Sequence, residues 1–86
     1  MNIASAVLAV ARNFPSAPAV TFQGRTVTYS EFADRVLRIG GSLRGRHGLG
    51  EGDRVLLWME NSAESLECLY ACWAAGLVAV PVNAKL

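Results

Sequence analysis

The side chains best suited to nucleophilic, redox or metal chemistry are Cys68, Cys72 and His47. The two cysteines are four residues apart in one predicted helix, so they form no disulfide framework. A zinc site needs about four ligands, and His47 is the only candidate ligand besides the two cysteines. We interpret both cysteines as reduced thiols that pack as small hydrophobic side chains, and His47 as an exposed loop residue.

The glycine-rich segment 45–52 is the second candidate for chemistry, because glycine-rich loops can cradle phosphates. A dinucleotide-binding loop follows a strand and opens a helix, whereas this segment follows a predicted helix and precedes a predicted strand. It also lacks the Gly-Lys-Ser/Thr ending of a P-loop. It is therefore predicted to be a helix end and turn, with nucleotide binding by Gly48–Gly52 as an alternative.

The other polar and aromatic residues form no catalytic constellation. The chain has no Gly-x-Ser-x-Gly elbow, no His-Glu-x-x-His pair and no basic–aromatic stripe. Four aromatic residues could line a pocket but are predicted to be core: Tyr29, Trp58, Tyr70 and Trp73. We assign no catalytic, cofactor-binding or metal-binding residue to this stretch.

A helix and a hairpin are predicted at the start of the chain. Asn2 can cap a helix that Pro15 stops, with apolar residues at helical spacing. These residues are Ile3, Val7, Val10 and Phe14. The β-prone runs Ala19–Phe22 and Arg25–Thr28 flank the turn Gln23-Gly24, which predicts a surface hairpin.

A second helix is predicted to begin at a capping box formed by Thr28 and Glu31. Its buried stripe is Phe32, Val36, Ile39 and Leu43, and its solvated charges are Asp34, Arg35, Arg38 and Arg44. The pair Gly40-Gly41 interrupts the pattern and indicates close packing against a neighbouring element.

A strand–helix–strand unit is predicted over residues 53–82. Val55–Met59 is continuously apolar, which is typical of a strand buried on both faces. Asn61-Ser62 supplies caps for the helix, Gly76 ends it, and Leu77–Val80 forms a second strand closed by Pro81. The helix is predicted to bury Leu66, Leu69, Tyr70 and Trp73. Glu64 and Glu67 are predicted to lie on its solvent-exposed face. Parallel strands and a right-handed crossover are expected.

Length and charge limit the class of protein. The 86 residues make at most one small domain, and a composition 52% hydrophobic and 17% charged excludes a disordered chain. A net charge of +1 argues against nucleic acid as a partner. The apolar run Ile3–Ala11 resembles the core of a signal peptide, but no Lys or Arg precedes it and an amphipathic helix explains it better. The apolar run Cys68–Val82 is too short for a transmembrane segment. The default compartment is cytoplasmic.

The fold class is therefore α/β: an N-terminal hairpin plus a βαβ unit, with helices packed on a partial sheet. A parallel pair buried on both faces needs more elements than this length supplies. Open sheet edges also invite self-association. We expect the chain to be the N-terminal part of a larger protein.

Four segments in order resemble the adenylate-forming superfamily, which holds acyl- and aryl-CoA synthetases, luciferases and peptide-synthetase adenylation domains. They are Thr28-Tyr29-Ser30-Glu31-Phe32, Gly52-Asp53-Arg54-Val55, Asn61-Ser62-Ala63-Glu64 and Ala75–Asn83. The resemblance covers nearly the whole chain, as the N-terminal subregion of such an enzyme. Asn83, where the amino-acid-activating members have Asp, favours the acid–CoA ligases.

The resemblance implies an enzyme that activates a carboxylic acid with ATP and Mg²⁺ to an acyl-adenylate and then transfers the acyl group to CoA. The family's phosphate loop, magnesium-binding acid, ribose-binding Asp and catalytic Lys have no counterpart in these residues. The 86 residues alone are expected to be inactive. The alternative is a non-catalytic α/β binding or structural module derived from such an enzyme.

Overall fold

The computed structural model describes residues 3–59 and 62–83, over which three helices and four strands follow one another. They are α1 (Ile3–Asn13), β1 (Pro18–Phe22), β2 (Arg25–Thr28), α2 (Tyr29–Gly45), β3 (Arg54–Met59), α3 (Ala63–Ala74) and β4 (Val78–Asn83). β1 and β2 pair antiparallel, and β3 and β4 pair parallel. The predicted α/β class is confirmed. The expected caps Asn2 and Asn61 lie outside the described residues.

The hairpin turns where the sequence predicts it. Gln23 and Gly24 have positive φ angles of 50° and 78°, the combination found in a type I′ turn. That turn suits the right-handed twist of paired strands, and Phe22 pairs directly with Arg25 across it. The first strand begins one residue earlier than predicted, at Pro18.

Helices α2 and α3 each begin at a capping box, in which two residues exchange hydrogen bonds between side chain and backbone. The Thr28 hydroxyl accepts from the Glu31 N–H at 3.2 Å, while the Thr28 N–H donates to the Glu31 carboxylate at 3.1 Å. Ser62 and Ser65 make the same exchange at the start of α3, with both distances 3.1 Å. The Thr28 capping box is confirmed, and Ser62 is the cap of α3.

The core lies where the hairpin meets α2 and α3. Its buried cluster is Val27, Phe32, Val36 and Ala71, with Val7 of α1 packed against it. The Tyr70 ring contacts Phe32 and Trp73 edge-on, at centroid distances of 5.4 and 5.1 Å. Phe32 is buried and Tyr70 packs against the core, as the sequence predicts, whereas Trp73 is only half-buried.

The prediction that β3 is buried on both faces is wrong for this chain. Its residues alternate between half-buried and exposed, and Leu56 and Trp58 are 61% and 60% exposed. The reason is that α3 packs on one face of the β3–β4 pair, while no described element covers the other. The core prediction for Trp58 is wrong for the same reason.

The predicted end of the last strand at Pro81 is also wrong, because β4 continues to Asn83 and Pro81 pairs with Leu57. The Val78 N–H donates to the Asp53 carbonyl at 2.8 Å, so the backbone of Val78 faces β3. Backbone groups alternate in direction along a strand, which turns the nitrogen of Pro81 to the outer edge. There the missing N–H costs no hydrogen bond within the sheet.

Candidate functional site

Two cavities lie at the carboxyl end of the β3–β4 pair. The first, of about 760 Å³, opens between the hairpin and the start of α3. The second, of about 320 Å³, lies between α3 and the ends of both strands, and Leu66, Leu69 and Val82 contribute to its lining. Ligands of open α/β sheets bind at the carboxyl ends of strands, which makes this edge the candidate site.

The larger cavity combines aromatic and charged surfaces. Trp58 and Phe22 supply the aromatic part, and the charged side chains are Arg25, Arg35 and Glu64. The hairpin positions Phe22 and Arg25 beside its turn, while β3 places Trp58 at its carboxyl end. Sequence reasoning did not identify this cavity, since it depends on how the hairpin packs against α2.

A buried carboxylate lies behind the cavity. Glu67 is only 4% exposed, and its Oε2 lies 3.4 Å from Arg35 Nη1. The prediction that Glu67 is solvated is wrong, whereas the Arg35 side chain is 37% exposed and keeps contact with water. Glu67 precedes Tyr70 and Ala71 by three and four residues, so it shares the helical stripe that packs against α2. The sequence does contain a signal for this ion pair, because an acidic residue stands at a helix position that the apolar spacing predicts to be buried.

Both arginines of the cavity lie near acidic side chains. The Thr28 N–H and hydroxyl lower the pKa of Glu31 below its ordinary value of 4.5, and the positive charges of Arg35 and Arg25 lower it further. Both guanidinium groups therefore lie near Glu31, and Arg35 also pairs with Glu67. The guanidinium group of Arg35 is therefore paired with a carboxylate of the protein itself.

The two cysteines are not activated nucleophiles. Burial raises the pKa of Cys68, and the charges of Glu67 and Glu64 add to the effect. Burial also raises the pKa of the fully buried Cys72. The thiolate is the reactive form, so both environments suppress reactivity. Both cysteines are free thiols.

Three backbone N–H groups of the glycine-rich segment donate hydrogen bonds to other groups of the chain. The Gly52 N–H donates to the Gly76 carbonyl at 2.8 Å, the Gly50 N–H to Asp53 Oδ2 at 2.7 Å, and the Leu49 N–H to the Leu43 carbonyl at 3.0 Å. His47 is exposed at the end of α2. The segment is therefore a helix end and turn, as the sequence predicts.

The side chains do not fit a metal. Within residues 3–59 and 62–83, no three His, Cys, Asp or Glu residues lie together in a way that could hold an ion. No helix in this described part of the chain is long and apolar enough to cross a membrane.

Comparison with known proteins settles the family. The family model for AMP-binding enzymes matches residues 7–86. The chain belongs to the AMP-binding enzyme family. The resemblance to adenylate-forming enzymes drawn from the four motifs is thereby confirmed. The match extends across α2, the βαβ unit and the segments between them.

A feruloyl-CoA synthase from Amycolatopsis sp. is 43% identical over 76 residues, which are 88% of this chain and 15% of that protein. The chain therefore spans only about a seventh of the length of this curated relative, since the matched share is 15%.

Solved structures agree in fold. The nonribosomal peptide synthetase FmoA3, in a form with α-methyl-L-serine-AMP bound, has a TM-score of 0.92 and 36% identity over 98% of this chain and 9% of that one. The O-succinylbenzoate coenzyme A synthetase of Bacillus subtilis, in complex with AMP, has a TM-score of 0.84 and 29% identity over 93% of this chain and 21% of that one. The hairpin, helices and parallel pair are thus an arrangement found in adenylate-forming enzymes.

Proposed function

We propose that this chain is the N-terminal subregion of an ATP-dependent, AMP-forming carboxylic acid–CoA ligase. In the first half-reaction the acid and ATP give an acyl-adenylate and pyrophosphate. In the second, the CoA thiol displaces AMP and a thioester is formed. The enzyme is proposed to be cytoplasmic.

The observation that carries this proposal is the 43% identity to a feruloyl-CoA synthase across 88% of the chain. A likeness to FmoA3 is compatible with it, because that synthetase was solved with an acyl-adenylate type of ligand, α-methyl-L-serine-AMP. Asn83, which follows the Val-Pro-Val segment, favours the CoA-ligase branch over the amino-acid-activating one.

The role of residues 1–86 is proposed to be structural. Three N–H groups of their glycine-rich segment donate to groups of the same chain, and Arg35 at the large cavity pairs with Glu67. ATP, Mg²⁺, CoA and the carboxylic acid would then be held by other residues of the ligase. Acid activation needs groups that stabilise developing phosphate charge, so the 86 residues alone are proposed to be inactive.

A chimera tests both parts of the proposal. The matching N-terminal residues of the Amycolatopsis feruloyl-CoA synthase are replaced by residues 1–86 of this chain, and feruloyl-CoA formation is measured. The chimera is expected to be active, whereas the 86-residue chain should catalyse no acid-dependent ATP–pyrophosphate exchange.

A matched chimera carrying Gly40→Val controls for packing and is expected to give less soluble, active enzyme. A soluble, folded chimera without activity would contradict the structural role. Exchange catalysed by the 86-residue chain would contradict its proposed inactivity. Sequencing the gene past the Leu86 codon tests whether the chain is part of such a ligase. The proposal expects a Ser/Thr/Gly-rich phosphate loop in the same reading frame.

A further inference from the structure

The two strands of the parallel pair present different outer edges. The Val78 N–H donates to the Asp53 carbonyl, and Arg54 is the partner of Val78 in the register. The N–H and C=O groups of one strand residue point the same way, and those of its neighbours point the opposite way. The backbone groups of Asp53 therefore face β4, whereas those of Leu56 and Trp58 face the outer edge of β3.

The outer edge of β4 is interrupted by a proline. Because the backbone of Val78 faces β3, the residues of β4 turned outward are Ala79, Pro81 and Asn83. Pro81 has no N–H, so a strand added at this edge would lack a hydrogen bond at its middle. The sequence of β4 therefore suits the border of a sheet. β3 contains no proline, and each of its outward residues offers both a donor and an acceptor.

Apolar exposure is also greatest on β3. Helix α3 contacts both strands of the pair, and no other helix among the described residues does. On the face away from α3, Leu56 and Trp58 are 61% and 60% exposed, against 46% and 38% for Val78 and Val80 of β4. Parallel sheets are covered on both faces, so these side chains mark a surface that is suited to burial. The hydrogen-bonding edge and the apolar surface thus coincide at β3.

We propose that a further strand of the ligase, from outside residues 1–86, pairs along the outer edge of β3. β3 then lies inside a larger sheet, and β4 forms the border of that sheet. This inference rests on the proposed function, because the occupant of the edge is the remainder of the same ligase. The added segments also cover Leu56 and Trp58, which adds a hydrophobic contribution to the strand pairing.

Two observations favour the remainder of the ligase over a second copy of this chain. The first is that the FmoA3 structure contains the same arrangement at a TM-score of 0.92, yet the matched residues are only 9% of that chain. In the Bacillus subtilis synthetase they are 21%. The second is the pairing itself. Parallel strands belong to sheets with helices on both faces, which a pair of strands contacted by one helix does not provide.

Amide hydrogen exchange in the chimera with the Amycolatopsis feruloyl-CoA synthase tests the pairing directly. The N–H groups of Leu56 and Trp58 should exchange at least about 100-fold more slowly in the chimera than in the 86-residue chain. The N–H of Ala79, at the outer edge of β4, is the internal control and should exchange at a similar rate in both proteins. Fast exchange at Leu56 and Trp58 in a folded chimera would overturn the proposal. Equal protection in both proteins would also overturn it, because it would identify a second copy as the occupant.

Proline substitution tests the same edge by its effect on thermal stability. Leu56→Pro removes an outward N–H and should lower the melting temperature of the chimera by at least about 5 °C. Leu56→Val keeps that N–H and an apolar side chain, and should lower it by less than about 2 °C. Pro81→Ala adds an N–H at the outer edge of β4 and should also change it by less than about 2 °C. Equal melting temperatures for Leu56→Pro and Leu56→Val would contradict the added strand. If Leu56→Pro does not fold, hydrogen exchange in the unsubstituted chimera decides.

Failure of this inference and failure of the ligase function give different results. Exchange and melting report strand pairing in a folded chimera whether or not it forms feruloyl-CoA. A chimera with slowly exchanging outward amides and no product would contradict the ligase function and support the added strand. An active chimera with fast exchange at Leu56 and Trp58 would contradict the added strand alone.

Discussion

Gly40 of α2 lies against the backbone of Ala71 in α3. A Cβ atom at Gly40 would be 3.1 Å from the Ala71 carbonyl oxygen and 3.4 Å from the Ala75 Cβ, so the absence of a side chain sets how closely the helices approach. A Cβ atom at Gly41, the next residue, would have no neighbouring atom within 4 Å. The prediction of close packing at this pair is confirmed for Gly40 and wrong for Gly41.

The two glycines give a matched pair of variants. Gly40→Val is expected to lower the free energy of unfolding by about 1–3 kcal/mol, because the added atoms push against backbone that cannot yield without separating the helices. Gly41→Val adds its atoms to open space and should change it by less than about 0.5 kcal/mol. Urea unfolding of both variants measures the difference. Equal destabilisation of the two variants would contradict a specific packing contact at Gly40.

The buried ion pair makes an asymmetric prediction. Arg35→Met leaves the Glu67 carboxylate buried and unpaired, and should cost about 3 kcal/mol of stability at neutral pH. Glu67→Gln leaves the half-exposed Arg35 able to contact water, and should cost about 1 kcal/mol. Arg38→Met, which removes the exposed pair with Asp34, should cost no more than about 0.5 kcal/mol. Chemical unfolding tests the order, and similar losses for Arg35→Met and Arg38→Met would contradict it.

The cap of α2 makes stability depend on pH. The pKa of Glu31 is lowered in the folded protein, chiefly by the Thr28 N–H, so its ionised form favours folding. That stabilisation is complete above the ordinary pKa of 4.5 and is lost as the pH falls through the lower folded pKa. Glu31→Gln keeps a side chain suited to the capping box but cannot ionise. The urea midpoint of wild type should exceed that of Glu31→Gln at pH 7, with the gap closing in acid. A gap that does not change with pH would contradict a role for the charge.

The thiols should react slowly. Burial raises the pKa of both Cys68 and Cys72, so at pH 7 little thiolate is present. Reaction with DTNB in the folded protein is expected to be at least about tenfold slower than in urea-unfolded protein. Cys68→Ala isolates Cys72, which is fully buried and should be the slower of the two. A fast phase of one equivalent in native wild type would show that a thiol is activated after all.

Local chemistry explains which features could be predicted. The Gln23-Gly24 turn and the Thr28–Glu31 capping box depend on groups within a few residues of one another, so the sequence pattern contains all the interacting partners. Gly76 follows the same rule: its φ of +76° ends α3 in a conformation that glycine adopts without strain. The family assignment rests on such local motifs as well.

By itself, the sequence determined the elements, their order and the family, because turns, caps and apolar periodicity act over a few residues. Only the tertiary structure decided that Glu67 is buried against Arg35, that Trp58 is exposed and that Pro81 lies inside a strand. Each of these depends on which element packs against a given face or edge, and that neighbour is distant in the chain. Side-chain burial and strand pairing depend on the whole tertiary arrangement. The type of a residue therefore does not determine which element covers it.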